Sequence, residues 1–233
     1  MDALVILPTY NEAKNLEKLI PRILEKNVHL LFVDDNSSDG TVEKIQEWMK
    51  INDRVNLIQR PAKLGLGTAY LEGFKWALKR DYRYIFEMDA DLSHDPADIP
   101  KFIAKCEEGY DLVIGSRYTR GTISVVGWDF RRLLLSKFAN KYATTILGLR
   151  FLTDVTSGYR CYRRRVLENI DLDRIKSNGY AFQIEMAYRT YQKGFRIGEI
   201  PIIFYERNSG SSKMSKKIIR EAALMVWRLR LGG

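Results

Sequence analysis

The sequence predicts an α/β protein: a mostly parallel, Rossmann-like sheet with helices on both faces, in a single domain. Three observations predict it. Short apolar runs alternate with stretches of helical periodicity through the first half of the chain. The 233 residues are 45% hydrophobic, enough for one sizeable core. No internal repeat and no Pro-, Gly- or Ser-rich linker divides the chain.

Ala3 to Leu7 is a continuous apolar run, as expected for a strand covered on both faces. Ala13 to Lys26 then sets Leu16, Leu19, Ile20, Ile23 and Leu24 at helical spacing. Leu30 to Val33 is a second strand. Thr41 to Met49 is a second helix, with Asp39 or Thr41 as its cap. The alternation continues with a strand over Val55 to Ile58 and a helix over Thr68 to Lys79. A strand over Tyr84 to Met88, a helix over Ile99 to Cys106 and a strand over Leu112 to Ile114 complete it.

The second half is less regular. Helices are expected over Arg131 to Leu147, Val166 to Ile170 and Tyr180 to Gln192, with an extended segment over Ile197 to Phe204. Glu206 to Lys217 is polar and contains glycine, which marks a loop. Ile218 to Leu231 closes the chain as a basic amphipathic helix. The expected division is a domain over 1–213 and a C-terminal helix over 214–233.

The formal charge is +9, from 38 basic and 29 acidic residues. Nucleic acid, an anionic membrane surface and phosphorylated substrates all fit that balance, as does a solvated basic surface. Cys106 and Cys161 are distant in sequence, with no second ligand pair near either, so neither a zinc site nor a disulfide framework is expected. No run approaches the ~18 apolar residues of a membrane span. Met1-Asp2-Ala3-Leu4 lacks the basic start of a secretory signal. A soluble or peripheral cytoplasmic protein is expected. There is no G-K-[ST] for a P-loop. Gly65-Leu66-Gly67-Thr68-Ala69-Tyr70 lacks the third glycine of a dinucleotide fingerprint.

Ligands of parallel sheets sit at the carboxyl ends of the strands. Four of the five strands end in polar clusters: Pro8-Thr9-Tyr10-Asn11-Glu12, Asp34-Asp35-Asn36-Ser37-Ser38-Asp39-Gly40, Asp89-Ala90-Asp91 and Gly115-Ser116-Arg117. One such cluster is ordinary turn chemistry; four on one sheet edge point to a site. In Asp89-Ala90-Asp91 the two carboxylates, at i and i+2, face the same way. Two like charges there are costly unless a cation or hydrogen bonds compensate them. Mg²⁺ and Mn²⁺ favour oxygen ligands and bind one or two carboxylates together with substrate phosphates.

Val5-Ile6-Leu7-Pro8-Thr9-Tyr10-Asn11-Glu12, Val33 to Thr41 and Met88-Asp89-Ala90-Asp91 together resemble glycosyltransferase family 2. Asp89 to His94, Gly115 to Tyr118, Trp128 to Arg132, Ser157 to Arg160 and Tyr180 to Met186 further resemble its dolichyl-phosphate mannosyltransferases. The likeness spans about Leu4 to Lys213. It implies a GT-A fold that transfers mannose from GDP-mannose to a polyprenyl (dolichyl) phosphate, with a divalent cation, Mg²⁺ or Mn²⁺. The rival donor is UDP-glucose or another nucleotide sugar. A nucleic-acid-binding protein is the reading from a different class, and the carboxylate clusters argue against it.

By that resemblance Pro8, Tyr10, Glu12, Val33 and Asp35 line the guanine nucleotide pocket. Asp89, Ala90 and Asp91 hold the diphosphate, and Asp89 and Asp91 hold the metal. Arg117, Arg132 and Ser136 receive the acceptor phosphate, and Arg207 and Lys213 close over the donor. Asp91, Arg117 and Arg132 are the expected catalytic residues. Some relatives have Gln two residues after the second Asp as a further metal ligand; here the position holds Ser93, a weaker and shorter ligand that water can replace, and it is not counted among the metal residues.

The chemistry fits these residue types. A phosphate monoester is already an anion and needs no strong base. It needs orientation and charge screening by Arg, Lys and metal. In-line attack at the anomeric carbon inverts configuration, giving a β-linked product from an α-linked donor. Arg131 and Arg132 taken alone suit a solvated helix face, Glu185 a buried structural acid, and His29 and His94 structural roles. The final helix carries Ile218, Ala222, Met225, Val226 and Leu229 along one side, and Lys216, Lys217, Arg220, Arg228 and Arg230 mostly elsewhere. It suits a membrane interface, a membrane-anchoring partner subunit or packing on the domain. A peripheral position on the cytoplasmic face of a membrane is expected.

Overall fold

The computed structural model describes residues 2–206 and 216–232, the side chains of Arg120 and 216–222 excepted. Strands β1 (Ala3–Thr9), β2 (His29–Asp34), β3 (Val55–Gln59) and β4 (Tyr84–Glu87) alternate with helices α1 (Ala13–Leu24), α2 (Thr41–Ile51) and α3 (Leu66–Leu78). Then come α4 (Ile99–Glu107), β5 (Leu112–Ser116), β6 (Val125–Val126), α5 (Phe130–Leu147), β7 (Arg160–Arg163) and α6 (Arg164–Asn169). The chain continues through α7 (Gly179–Gln192), β8 (Ile197–Pro201), β9 (Phe204–Tyr205) and α8 (Lys216–Arg230).

Seven strands form one sheet in the order β3-β2-β1-β4-β7-β5-β8, and β6 pairs with β9 in a small ribbon. All neighbours in the large sheet are parallel except β7, which is antiparallel to both β4 and β5. Period-two alternation sends Leu4, Ile6, Leu31, Val33 and Ile85 to one face, where they share a core with Tyr70 and Phe74 of α3 and Phe182 and Met186 of α7. Val5, Leu7, Leu30, Phe32 and Phe86 face the opposite core, with Leu16 and Ile20 of α1 and Phe102 of α4. Each such side chain, fully buried, contributes roughly 1.5–3 kcal/mol.

The sequence reading contains no β7. Arg-Cys-Tyr-Arg is short and begins and ends on a charge, so it carries no strand signal. Its Arg160 is nevertheless fully buried. The guanidinium donates to the carbonyls of Ser157, Gln183 and Val155 at 2.8, 2.8 and 2.6 Å, which satisfies its donors away from water. The consequence is positional. Because β7 runs antiparallel, the residues before it, Thr156 to Tyr159, emerge at the carboxyl ends of β4 and β5. They stand there between Asp89 and Arg117. The two cysteines, distant in sequence, lie on α4 and β7 with sulfurs 3.7 Å apart, both buried thiols.

Helix α8 begins two residues before the expected Ile218. It packs between α5 and α7 through buried Val226 and Leu229. Its outer face exposes Leu224 and Trp227, and Leu231 just past its end is exposed as well. Among the described residues no helix is long and apolar enough to cross a membrane.

Candidate active site

Loops after β1 and β2 build the first wall. Thr9 Oγ1 and Ser37 Oγ donate to Asp34 Oδ2 at 2.8 and 2.6 Å. Asn11 and Asn36 take positive φ of 59° and 62°, a region Asn tolerates. The Asn11 N–H donates to Ser37 Oγ and the Ser38 N–H to Asn11 Oδ1, each at 2.9 Å, tying the loops together. The N-cap of α2 is Gly40, in the left-handed region, and not the expected Asp39 or Thr41; Asp39 Oδ1 accepts from the Thr41 N–H one residue further on.

Pro8, Tyr10, Glu12 and Asp35 line a cavity of about 990 Å³ whose floor is Asp89, Ala90 and Asp91 and whose far wall is Ser177 to Tyr180. Val33 is not part of this wall; it is fully buried in the core beneath. Two residues on this side escaped the sequence reading. Buried Arg60 holds Asp35, with Nε at 2.5 Å from Oδ1. It also donates to Thr68 Oγ1 and the Gly65 carbonyl, which fixes the loop before α3. Lys63 places its ammonium 3.7 Å from the Tyr10 ring centroid.

At the end of β4, Leu92 has φ of 66°, a strained conformation for a branched side chain. The turn lets the Ser93 N–H and Oγ donate to Asp91 Oδ1 at 3.0 and 2.5 Å. Ser93 is therefore a partner of Asp91. The Asp89 N–H donates to His94 Nδ1 at 3.2 Å, and His94 stacks on Tyr159 at 4.8 Å. That makes Nδ1 the unprotonated nitrogen. Among the described residues no three His, Cys, Asp or Glu side chains cluster to enclose a metal. Two carboxylates opening on a wide cavity fit Mg²⁺ or Mn²⁺ in a different way, with phosphate oxygens completing the shell.

Beneath Asp89 lies Glu87, fully buried, accepting from Tyr162 OH at 2.8 Å and Gln183 Nε2 at 2.6 Å. Burial pushes its carboxyl up to about 7, opposed by Arg160 and these hydrogen bonds. The signal was present in the sequence: a lone acid inside the apolar run Tyr84 to Met88.

Arg117, at the end of β5, is 4% exposed. Its Nε and Nη2 each meet Asp154 at 2.6 Å, and Nη2 also donates to Thr156 Oγ1 at 2.9 Å. Burial opposes the charge, yet the Asp154 carboxylate holds the guanidinium more firmly protonated than an ordinary arginine. Glu199 of β8 in turn accepts from the backbone N–H groups of Thr153 and Asp154 at 2.9 and 2.8 Å.

Asp129 caps α5 by accepting from the Arg132 N–H at 2.8 Å. Arg132 lies over the Trp128 ring at 4.3 Å and pairs with Glu206 at 2.5 Å. Ser136 Oγ accepts from Tyr118 OH at 2.8 Å. Arg117, Arg132 and Ser136 thus converge, at the polar end of a second cavity of about 200 Å³ walled by Leu135, Phe138, Tyr142, Ile184 and Val226. A narrow cleft of about 70 Å³ joins the two cavities: it contains Asp89 and Gly158 of the first, and Arg117, Trp128 and Arg132 of the second. Arg207 and Lys213 lie outside the described residues. Glu185 is a buried acid on α7, paired with Arg189 at 2.7 Å.

An α/β sheet with an Asp-x-Asp pair at one strand end, facing arginines at another, defines a GT-A-type glycosyltransferase. The model of the family described as Glycosyl transferase family 2 matches residues 4–171, and the chain belongs to that family. It is 47% identical over 232 residues to the polyprenol monophosphomannose synthase of Mycolicibacterium smegmatis, covering 97% of this chain and 87% of that one. It is 43% identical over 230 residues to the undecaprenyl-phosphate mannosyltransferase of Micrococcus luteus, covering 98% and 93%. In fold it resembles glucosyl-3-phosphoglycerate synthase from Mycobacterium tuberculosis, crystallised with Mn²⁺, UDP and phosphoglyceric acid. The TM-score is 0.70 at 19% identity, covering 99% of this chain and 78% of that one.

Proposed function

We propose that this glycosyltransferase moves mannose from GDP-mannose to a polyprenyl phosphate, with inversion, to give a polyprenyl-phosphate β-mannose. The observation that carries this reading is the cleft where Asp89 meets Arg117 and Arg132, between a nucleotide-sized cavity and an apolar one. The two relatives named for polyprenyl-linked mannose support the choice of sugar and acceptor.

Pro8, Tyr10, Glu12 and Asp35 hold the nucleoside, and Asp35 is preset for this by Arg60. Asp89 and Asp91 would hold Mg²⁺ or Mn²⁺, whose charge offsets that of the donor diphosphate. Arg207 and Lys213 are assigned to the same diphosphate. Arg117, Arg132 and Ser136 orient the acceptor phosphate while its isoprenoid chain follows the apolar cavity. A phosphate oxygen forms the new bond to the anomeric carbon as the bond to the donor's β-phosphate oxygen breaks. GDP leaves with that electron pair. No proton need be removed, because the acceptor oxygen is already anionic. Positioning and charge stabilisation carry the catalysis.

The membrane enters through two helices. Exposed Phe130, Leu134 and Phe138 form a stripe at four-residue spacing on α5, flanked by Arg131, Lys137 and Lys141. The outer face of α8 adds Leu224 and Trp227, with Leu231 just past its end. Together they suit a peripheral protein lying on an anionic, cytoplasmic-side surface, directly or through a small anchoring subunit. Calorimetric titration with GDP and with UDP, in Mg²⁺, Mn²⁺ or EDTA, tests the donor half of this reading. Tighter binding of UDP than of GDP would overturn it.

A further inference from the structure

Glu206 occupies the place where an acceptor's negative charge is needed. The β6–β9 ribbon delivers it there: the Glu206 N–H donates to the Val126 carbonyl at 2.9 Å. Gly127, at φ of 90°, leaves it room; a Cβ there would sit 2.8 Å from Glu206 Cβ and 3.1 Å from Oε2. The carboxylate then crosses to Arg132 Nη1 at 2.5 Å. Glu206 and Arg132 both line the cleft, and Arg132 also lines the apolar cavity. The Trp128 indole N–H beside them is buried without an acceptor among the described residues.

We propose that Glu206 is a built-in competitor for the acceptor phosphate, and that it makes the cleft selective for lipid phosphate monoesters over phosphate diesters. The proposal rests on the reading that Arg132 receives the acceptor. An incoming phosphate must take Arg132 from a tethered carboxylate, whose effective concentration is of millimolar order. A diester carries one negative charge. It would replace one anion by another of the same charge and gain little. A monoester carries about 1.5–2 negative charges near neutral pH and three free oxygens. It wins the exchange, and Arg132 with the Trp128 N–H gives it donors. Membranes consist largely of phosphate diesters, and a polyprenyl monophosphate is scarce among them. An ungated arginine pair beside an apolar cavity would fill with the wrong headgroup. Specificity is here a difference of affinities that a repulsive group enlarges.

The test uses geranyl phosphate and its methyl diester as soluble probes, titrated calorimetrically into the full chain and into Glu206→Gln. The wild type should bind the monoester at least tenfold more tightly than the diester. Glu206→Gln should bind both more tightly, and the diester should gain more, so that the ratio falls to threefold or less. Glu206→Asp, which keeps the charge, should discriminate better than Glu206→Gln. An unchanged ratio in Glu206→Gln overturns the proposal, as does weaker binding of both probes, which would make Glu206 a support for Arg132. Failure of the monoester to bind either protein, or of the diester to bind Glu206→Gln, overturns it too. Mannosyl transfer measured alongside separates the two readings. Absent transfer with a collapsed ratio removes the mannosyl assignment and leaves the filter; normal transfer with an unchanged ratio does the reverse.

Discussion

Arg117 and Asp154 face each other through two contacts of 2.6 Å, one from Nε and one from Nη2, and both side chains are buried. The cation that the family resemblance assigns to the acceptor therefore enters the cleft already matched to a counter-charge. Removing one partner of such a pair leaves an uncompensated buried charge, which costs about 3–5 kcal/mol.

Asp154→Asn should accordingly lower the melting temperature by about 10 °C, given ~2–4 °C per kcal/mol for a chain of this size. Arg117→Ala should lose stability as well as acceptor turnover. Differential scanning calorimetry alongside acceptor kinetics checks both. An unchanged melting temperature in both variants would mean that the pair contributes nothing to the fold.

Arg132 contrasts with Arg117, because it is partly exposed and its partner Glu206 is too. Arg132→Ala should lower kcat/KM for the lipid phosphate by about ten- to a hundredfold, from loss of a charge-assisted bond of ~1.5–3 kcal/mol. Melting temperature and GDP affinity should stay within error. Ser136→Ala should cost less. Arg132→Lys should rescue only in part, since lysine lacks the planar two-point contact. Loss of GDP binding with an unchanged acceptor KM would reverse the two phosphate sites.

Asp91→Ala should abolish transfer and leave the fold intact, since the residue lies at the cavity floor. EDTA should silence the wild type, and Mn²⁺ or Mg²⁺ should restore it. Full activity in EDTA would remove the metal from the account.

Much of this site was legible before the fold was known, because its residues follow strands in order: Pro8 to Glu12, Asp34 to Gly40, Asp89 to Asp91 and Gly115 to Arg117. Strand ends of a parallel sheet share one edge, so local pattern was enough. What sequence did not reveal are the partners that come from elsewhere in the chain. Asp154 sits in a loop with no periodicity, and only the insertion of β7 brings that loop to Arg117. Arg60 reads as a loop arginine until β3 is placed beside β2. Val33 shows the converse error: it flanks two site residues but alternation turns it inward.

Glu87 gives a pH signature. Its carboxyl is raised from the ordinary value of 4.5 to about 7 in the fold, mainly by burial. Between those values the folded protein binds more protons than the unfolded chain, so this group makes stability fall as pH rises. Melting temperatures at pH 5.5 and pH 8 should show Glu87→Gln gaining on the wild type at the higher pH. A constant difference between the two proteins would contradict the buried, raised acid.

The outer face of α8 allows the proposed membrane contact to be tested apart from substrate contact. Met225, Arg228 and Leu229 wall the large cavity and Val226 the apolar one, so deleting the helix should damage both substrate sites. Leu224→Asp with Trp227→Asp should instead weaken sedimentation with anionic vesicles and leave GDP affinity unchanged. Binding of the wild type should also fall from 0.01 to 0.15 M salt, as the Debye length drops from ~30 to ~8 Å. Unaltered vesicle binding in the double variant would place the anchor elsewhere.

The most direct test of the central claim is a transfer assay with labelled nucleotide sugars, polyprenyl phosphate and Mg²⁺ or Mn²⁺. The account predicts that label from GDP-mannose, and not from UDP-glucose, enters an organic-soluble product only when the lipid monophosphate is present. That product should be a β-linked mannosyl phosphate. Transfer from UDP-glucose in preference to GDP-mannose, or labelling that does not depend on the lipid phosphate, would contradict it.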